Sequence, residues 1–230
     1  MIMLGLEVLM SKNTVIRIFL LTVGNTLAML LALLALRTIA TNLLGWFMLA
    51  VSIVYGAGGV IHLWLYADKG DANRSEKGNR SFWWIVPGFI AIFFGPVLDY
   101  LYLPPILPRG LTMQLGGLIV IALGLALRIW TRLTLRSLYS GYLRVKVGHV
   151  LVTHGPFHWI RHPGYNGFLI MAFGLAIGYS SVVGLVAVIL LLLPGLVYRI
   201  NVEEKLLAEH FGDEYRLYAK QTKRLIPFIW

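Results

Sequence analysis

The chain has 230 residues, of which 58% are hydrophobic and only 13% charged. A soluble domain carries about 25% charged residues, so this composition excludes an ordinary soluble fold and suits a single membrane-embedded bundle. The sequence holds no cysteine, which excludes disulfides, thiolate metal sites and cysteine nucleophiles; the net charge of +10 fits Lys and Arg crowded into cytoplasmic loops better than a nucleic-acid surface.

A helix needs about 20 apolar residues to cross the hydrocarbon of a bilayer. Four runs meet this in chain order: roughly 15–36, 43–66, 82–103 and 111–130. The first is too long for a signal-peptide core and lacks a small-residue cleavage site, so it reads as a span. Between the second and third, "DKGDANRSEKGNRS" (68–81) reads as a solvated loop, and His62 before it as a packing or interfacial histidine. The Gly-rich patches "YGAGG" (55–59) and "QLGGL" (114–118) read as sites of close helix packing. A longer region, about 165–200, holds two shorter spans that break near "GYSSVVG" (178–184), where Gly and Ser permit a tight hairpin.

The expected fold is therefore an all-α integral membrane bundle of about six transmembrane helices, or five and a re-entrant hairpin. With the N-terminus inside, every basic residue except Arg37 and Arg109 falls on the cytoplasmic side. That asymmetry predicts a multi-pass protein with both termini cytoplasmic. Organisation is uneven: residues 1–130 are apolar spans, while polar and aromatic groups gather on one membrane face within 131–230.

Three elements in that second part carry chemistry. In "GHVLVTHGPFHWIRHPGYNG" (148–167), Pro156 and Pro163 break helices, while Gly155, Gly164 and Gly167 permit unusual dihedrals or close approach. This predicts a structured loop leading into the fifth span. His154 and His158 are four apart, but the Gly155-Pro156 pair between them argues against a helical metal site, and no H-E-x-x-H pattern is present. Phe157 and Trp159, taken alone, fit interfacial aromatics. In "YRINVEEKL" (198–206), Arg199 and Glu203 share a helix face at i, i+4, with Glu204 one step around. Arg199 alone could snorkel to the interface; two adjacent glutamates at an anionic inner leaflet fit that reading poorly. In "EHFGDEYRLYAKQTKRLIPFIW" (209–230), Gly212 is expected to end one helix, Asp213 to cap the next and Pro227 to stop it, with Tyr215 and Tyr218 on one face.

The ordered set G-P-F-x-x-x-R-H-P-x-Y-x-G, R-x-x-x-E-E, F-G-x-x-Y-x-x-Y and I-P, over about 140–230, resembles the isoprenylcysteine carboxyl methyltransferases, whose relatives methylate phospholipids. The resemblance implies an S-adenosylmethionine-dependent methyltransferase embedded in the membrane, with its cofactor region cytoplasmic. The cofactor contacts it implies are Tyr142, His149, Val150, Leu151, Val152, Phe157, His162, Pro163, Gly164, Tyr165, Glu203 and Glu204. It implies that Arg199 faces the carboxylate of the substrate, and it suggests Arg161 as an anchor of the loop to phosphates or to Glu204. Phe157 stands where the family often has Tyr, which removes one hydroxyl contact.

Methyl transfer from a sulfonium is an in-line displacement, and a carboxylate acceptor is already a nucleophile. Positioning and exclusion of water are then the main demands on the protein. The acceptor implied is lipid-like or small and hydrophobic, entering from the bilayer among membrane lipids; a phospholipid or a thiol is the alternative acceptor. The R-H-P-x-Y loop also resembles that of NADPH-dependent membrane sterol or enone reductases, although R-x-x-x-E-E favours the methyltransferases. A non-catalytic transporter or scaffold would show polar residues through the span centres, and the first four spans lack that pattern.

Overall fold

The computed structural model describes residues 12–54, 76–138 and 150–225, all helical apart from turns and connecting segments. The chain forms two compact units, Met1–Ala72 and Asn73–Trp230. His62, Tyr142, His149, Pro227 and the "YGAGG" patch lie outside the described residues.

The first unit contains α1 (Lys12–Thr38) and α2, described over Leu44–Val54. The tight link between them is held by polar groups that a bilayer cannot satisfy. The amide of Asn42 donates to the Thr38 carbonyl at 2.7 Å, and Asn42 Oδ1 accepts from the Leu44 amide at 2.9 Å, which covers an orphan donor at the start of α2.

The second unit contains α3 (Glu76–Tyr102), α4 (Leu111–Leu135), α5 (Pro163–Gly178), α6 (Val182–Ala187), α7 (Leu193–Phe211) and α8 (Asp213–Gln221). Helix α3 begins at Glu76, so the second half of the expected 68–81 loop is its first turn and a half. Its "EKGNRS" run contains no proline to prevent extension of the helix toward the surface. A π-helical segment, Val188–Leu192, joins α6 to α7 into one 30-residue helix. Pro194 follows that segment and has no N–H to return to the preceding turn, which is a physical cause for the widening.

Among the described residues, three helices are long and apolar enough to cross a membrane: Trp84–Tyr102, Leu111–Leu135 and Val182–Phe211. Their outward faces are hydrocarbon, with Ile119 and Leu123 of α4 each 62% exposed. Surfaces of that kind mark a membrane protein. Helix α5 has 16 residues, roughly 24 Å at 1.5 Å per residue, shorter than the about 30 Å of a hydrocarbon core. The expected break at 178–184 is present: α5 ends at Gly178, Ser180 adopts φ +52° and α6 starts at Val182.

Lipid tails are as apolar as the helices, so apolar burial alone does little to hold a bundle together; close backbone approach and internal hydrogen bonds do more. Helices α4 and α5 show this directly. A Cβ on Gly117 would lie 2.5 Å from the Gly178 Cα, and one on Gly124 would lie 2.5 Å from the Gly167 carbonyl oxygen. In the "QLGGL" patch Gly117 is thus a close-packing position, while a Cβ on Gly116 would meet nothing within 4 Å. On the other side, α3 packs against the α6–α7 helix. There Ile85, Ile92, Phe168, Leu169, Ala172, Val188, Leu192 and Leu196 form a buried cluster, with Phe89 stacked on Phe168 at 4.4 Å. The buried Asp99 of α3 pins the hairpin between α5 and α6. Its Oδ2 accepts from Ser181 Oγ at 2.6 Å and from the Val183 amide at 3.2 Å, while Ser181 Oγ accepts from the Gly184 amide.

Candidate functional site

A second group of polar side chains in this unit converges where the loop 150–162, the C-terminal half of α7 and α8 meet. The loop enters a single 3-10 turn at Gly155–His158. Gly155 has φ +63°, a conformation open to glycine at little cost, and a Cβ there would come within 2.9 Å of Thr134 Oγ1. Pro163 then occupies the first position of α5, where its missing N–H costs nothing. The prolines and glycines thus serve as the sequence suggests: they shape a fixed turn and start a helix immediately after it.

The residues after α8 return to this loop. The Arg161 amide donates to the Lys223 carbonyl at 2.7 Å, the His162 amide to the Arg224 carbonyl at 3.1 Å, and the Lys223 amide to the Trp159 carbonyl at 3.3 Å. Helix α8 ends at Gln221, before Pro227, because the chain turns extended at Thr222 to make this pairing. Asp213 is the first residue of α8 and not its cap. Gly212, at φ +57°, ends α7 and precedes α8 directly, while Asp213 pairs with Arg216 at 2.7 Å.

Arg161 is the centre of the clamp. Its Nε donates to Glu204 Oε1 at 2.8 Å, and its Nη1 donates to the carbonyls of Ala219 and Thr222, the orphan acceptors at the end of α8. Of the two anchors that the sequence suggests for Arg161, the one found is Glu204. The other oxygen of Glu204 meets Arg224 Nη2 at 2.9 Å, and His162 Nε2 lies 3.3 Å from Oε1. Both oxygens of Glu204 are therefore engaged from within the chain.

Glu203 is different. His162 Nδ1 lies 3.9 Å from its Oε2, beyond hydrogen-bond reach, and among the described residues that buried oxygen has no hydrogen-bond partner. Its neighbours are Arg199, one turn back on α7 and 6% exposed, and Tyr165, whose hydroxyl accepts from Arg199 Nε at 2.9 Å and lies within side-chain hydrogen-bonding reach of the Glu203 carboxylate. A buried, partnerless carboxylate oxygen is costly. It marks a place where a donor from outside the chain would be satisfied.

The structure thus brings His162, Pro163, Gly164, Tyr165, Arg199, Glu203 and Glu204 to one locality on the starts of α5 and the inner part of α7. The Gly164 carbonyl is fixed by Arg128 Nη1 at 3.1 Å. Phe157 joins through its carbonyl, which accepts from the Tyr218 hydroxyl at 2.7 Å. Val150, Leu151 and Val152 precede the turn in irregular chain, with Val150 largely exposed. Among the described residues no group of His, Asp and Glu is arranged to hold a metal ion.

Two features of the site escape sequence reasoning. Arg224 is a partner of Glu204, although it lies 20 residues further on and belongs to no periodic pattern. Tyr215 is buried, yet its hydroxyl has no hydrogen-bond partner among the described residues. Burial pushes the Tyr218 hydroxyl up to about 12; for Tyr215, burial and then the charge of Glu204 push it higher still. Both phenols therefore stay protonated and able to donate.

Residues 112–214 match the family described as phospholipid methyltransferase. Over its C-terminal half the chain is similar in sequence to isoprenylcysteine methyltransferases of several organisms. A probable protein-S-isoprenylcysteine O-methyltransferase of Oryza sativa is 35% identical over 115 residues, which are 49% of this chain and 60% of that protein. The protein-S-isoprenylcysteine O-methyltransferase of Saccharomyces cerevisiae is 36% identical over 115 residues, covering 49% and 48% of the two chains. The matched segment thus spans about half to three-fifths of the length of these relatives. A solved structure of the eukaryotic intramembrane Ras methyltransferase, an isoprenylcysteine carboxyl methyltransferase, superposes with a TM-score of 0.53 at 23% identity, covering 93% of this chain and 76% of that one. That likeness establishes the all-helical membrane fold.

Proposed function

We propose that this protein is an integral membrane methyltransferase that uses S-adenosylmethionine and methylates a carboxylate on a lipidated or small hydrophobic acceptor. The observation that carries the reading is the buried, partnerless Oε2 of Glu203, set among His162, Tyr165 and Arg199 within the segment that matches the methyltransferase family. An anionic acceptor at that point fits a ligand with an ammonium or hydroxyl donors, and S-adenosylmethionine has both.

The residues present fit the cofactor. Glu203 would take its donors, and His162, Pro163, Gly164 and Tyr165 would form the wall at the start of α5. Phe157 and Val150–Val152 would line the loop side, where Tyr142 and His149 also belong by the family pattern. Glu204 belongs to the same wall, but with both oxygens engaged it serves by fixing the loop. When bound, the cofactor supplies an electrophilic methyl group on a positively charged sulfur.

The chain's own task is to orient an acceptor that needs no base. Arg199 suits a carboxylate, because a guanidinium can hold both oxygens in one plane and direct one of them. Its Nε is tied to the Tyr165 hydroxyl, which fixes the plane of the fork. Burial of Arg199 keeps water from competing. The distribution of Lys and Arg supports a site and both termini on the cytoplasmic side, with the acceptor arriving from the bilayer.

Binding of S-adenosylmethionine and of NADPH to the detergent-purified protein tests the proposal. The expected result is saturable binding of S-adenosylmethionine that falls about tenfold or more in Glu203→Gln, since a charge-assisted contact contributes about 1.5–3 kcal/mol. Binding of NADPH in its place would overturn it.

A further inference from the structure

Glu203 Oε2 has a counterpart in the same cluster. The Tyr215 side chain is 4% exposed, and its buried hydroxyl also has no hydrogen-bond partner among the described residues. It comes from α8, whose other buried tyrosine, Tyr218, packs against it at 6.1 Å between ring centroids and donates to the Phe157 carbonyl of the loop. The Tyr215 hydroxyl lies within electrostatic reach of Glu204, Arg161 and Glu203. Two tyrosines one turn apart are thus held in one wall, one with its hydroxyl used and one with it spare.

A buried hydroxyl without a partner is a net cost, where phenylalanine of the same shape would bear none. Packing alone gives no reason for the oxygen. We propose that Tyr215 is a ligand-binding residue: its hydroxyl hydrogen-bonds a polar group of the bound cofactor, and α8 thereby forms one wall of the cofactor site. This rests on the S-adenosylmethionine reading and adds a contact from a helix to which the sequence assigned no ligand. The charges of Glu204 and Glu203 both reach this hydroxyl, so the part of the ligand it suits is the hydroxyl- or ammonium-bearing part and not the adenine face. No bond is made or broken at Tyr215; its contribution is binding and orientation.

The test is Tyr215→Phe in the full-length protein, with Tyr218→Phe as the contrast. Two quantities are measured: the melting temperature without ligand, and the affinity for S-adenosylmethionine by calorimetry. Tyr215→Phe is expected to melt at or slightly above the wild-type temperature, because no internal bond is lost. Its affinity should fall about three- to tenfold, the range of one neutral hydrogen bond. Tyr218→Phe should melt lower without ligand, because the Phe157 carbonyl loses its donor. Unchanged affinity in Tyr215→Phe, or a lower melting temperature without ligand, overturns the assignment while leaving the cofactor reading intact. Failure of the wild-type protein to bind S-adenosylmethionine overturns the cofactor reading itself.

Discussion

Replacing Glu204 with Gln separates a clamp from a cofactor ligand. In the wild-type protein, Oε1 of Glu204 accepts from Arg161 Nε at 2.8 Å, and Oε2 pairs with Arg224 Nη2 at 2.9 Å. The side chains of Glu204 and Arg161 are 13% and 10% exposed, so their pairing is little screened; Arg224, at 32%, contributes less. Gln keeps one acceptor oxygen and the shape, while Arg161 keeps its bonds to the Ala219 and Thr222 carbonyls. The loss is therefore smaller than the 3–5 kcal/mol of a buried pair broken outright, and nearer the about 1.5–3 kcal/mol of one charge-assisted hydrogen bond. It should fall on the junction of loop, α7 and tail. Thermal melting without ligand should show a decrease, and hydrogen exchange should rise at the amides of Arg161, His162 and Lys223, which carry the loop–tail pairing. If Glu204→Gln melts and exchanges like wild type but binds S-adenosylmethionine much more weakly, the clamp reasoning is wrong and Glu204 is a direct ligand.

Three further outcomes are expected. Arg199→Lys retains the charge but loses the planar fork and the bond to Tyr165, so turnover on a carboxylate-bearing prenyl thioether should fall while S-adenosylmethionine affinity stays near wild type; full activity would remove Arg199 as the substrate clamp. Gly117→Ala places a methyl 2.5 Å from the Gly178 Cα, and relieving that overlap should cost about 1–3 kcal/mol, seen as a lower melting temperature with the fold retained. Cysteines introduced at Lys220 and at Ile106 should label from opposite membrane faces, the first from the cytoplasm; labelling from one side would defeat the proposed topology.

Much of the fold is legible in the sequence. Long apolar runs must be helices in a bilayer, since no other local structure satisfies their backbone, and the runs over 82–103 and 111–130 appear as α3 and α4 with modest extensions. The hairpin after Gly178 is legible too, because Gly and Ser interrupt an otherwise continuous run. Asp99, by contrast, carries no sign in the sequence of its role. Only packing brings it to Ser181 and Val183, more than eighty residues away.

The site divides in the same way. Pro156, Pro163 and Gly155 write the loop into the sequence, because their backbone limits are local. The i, i+4 spacing of Arg199 and Glu203 places both on one face of α7 before any tertiary structure is known. What the sequence could not decide is which of two adjacent glutamates is committed to the protein and which is left for a ligand. Their local environments are nearly identical, each a helical carboxylate near the end of a span. The difference arises from groups 20 to 43 residues away: Arg161, His162 and Arg224 converge on Glu204 and leave one buried oxygen of Glu203 without a donor. Hydrogen bonds are short-ranged and directional, so their assignment follows from how the loop, α7 and the tail meet in space.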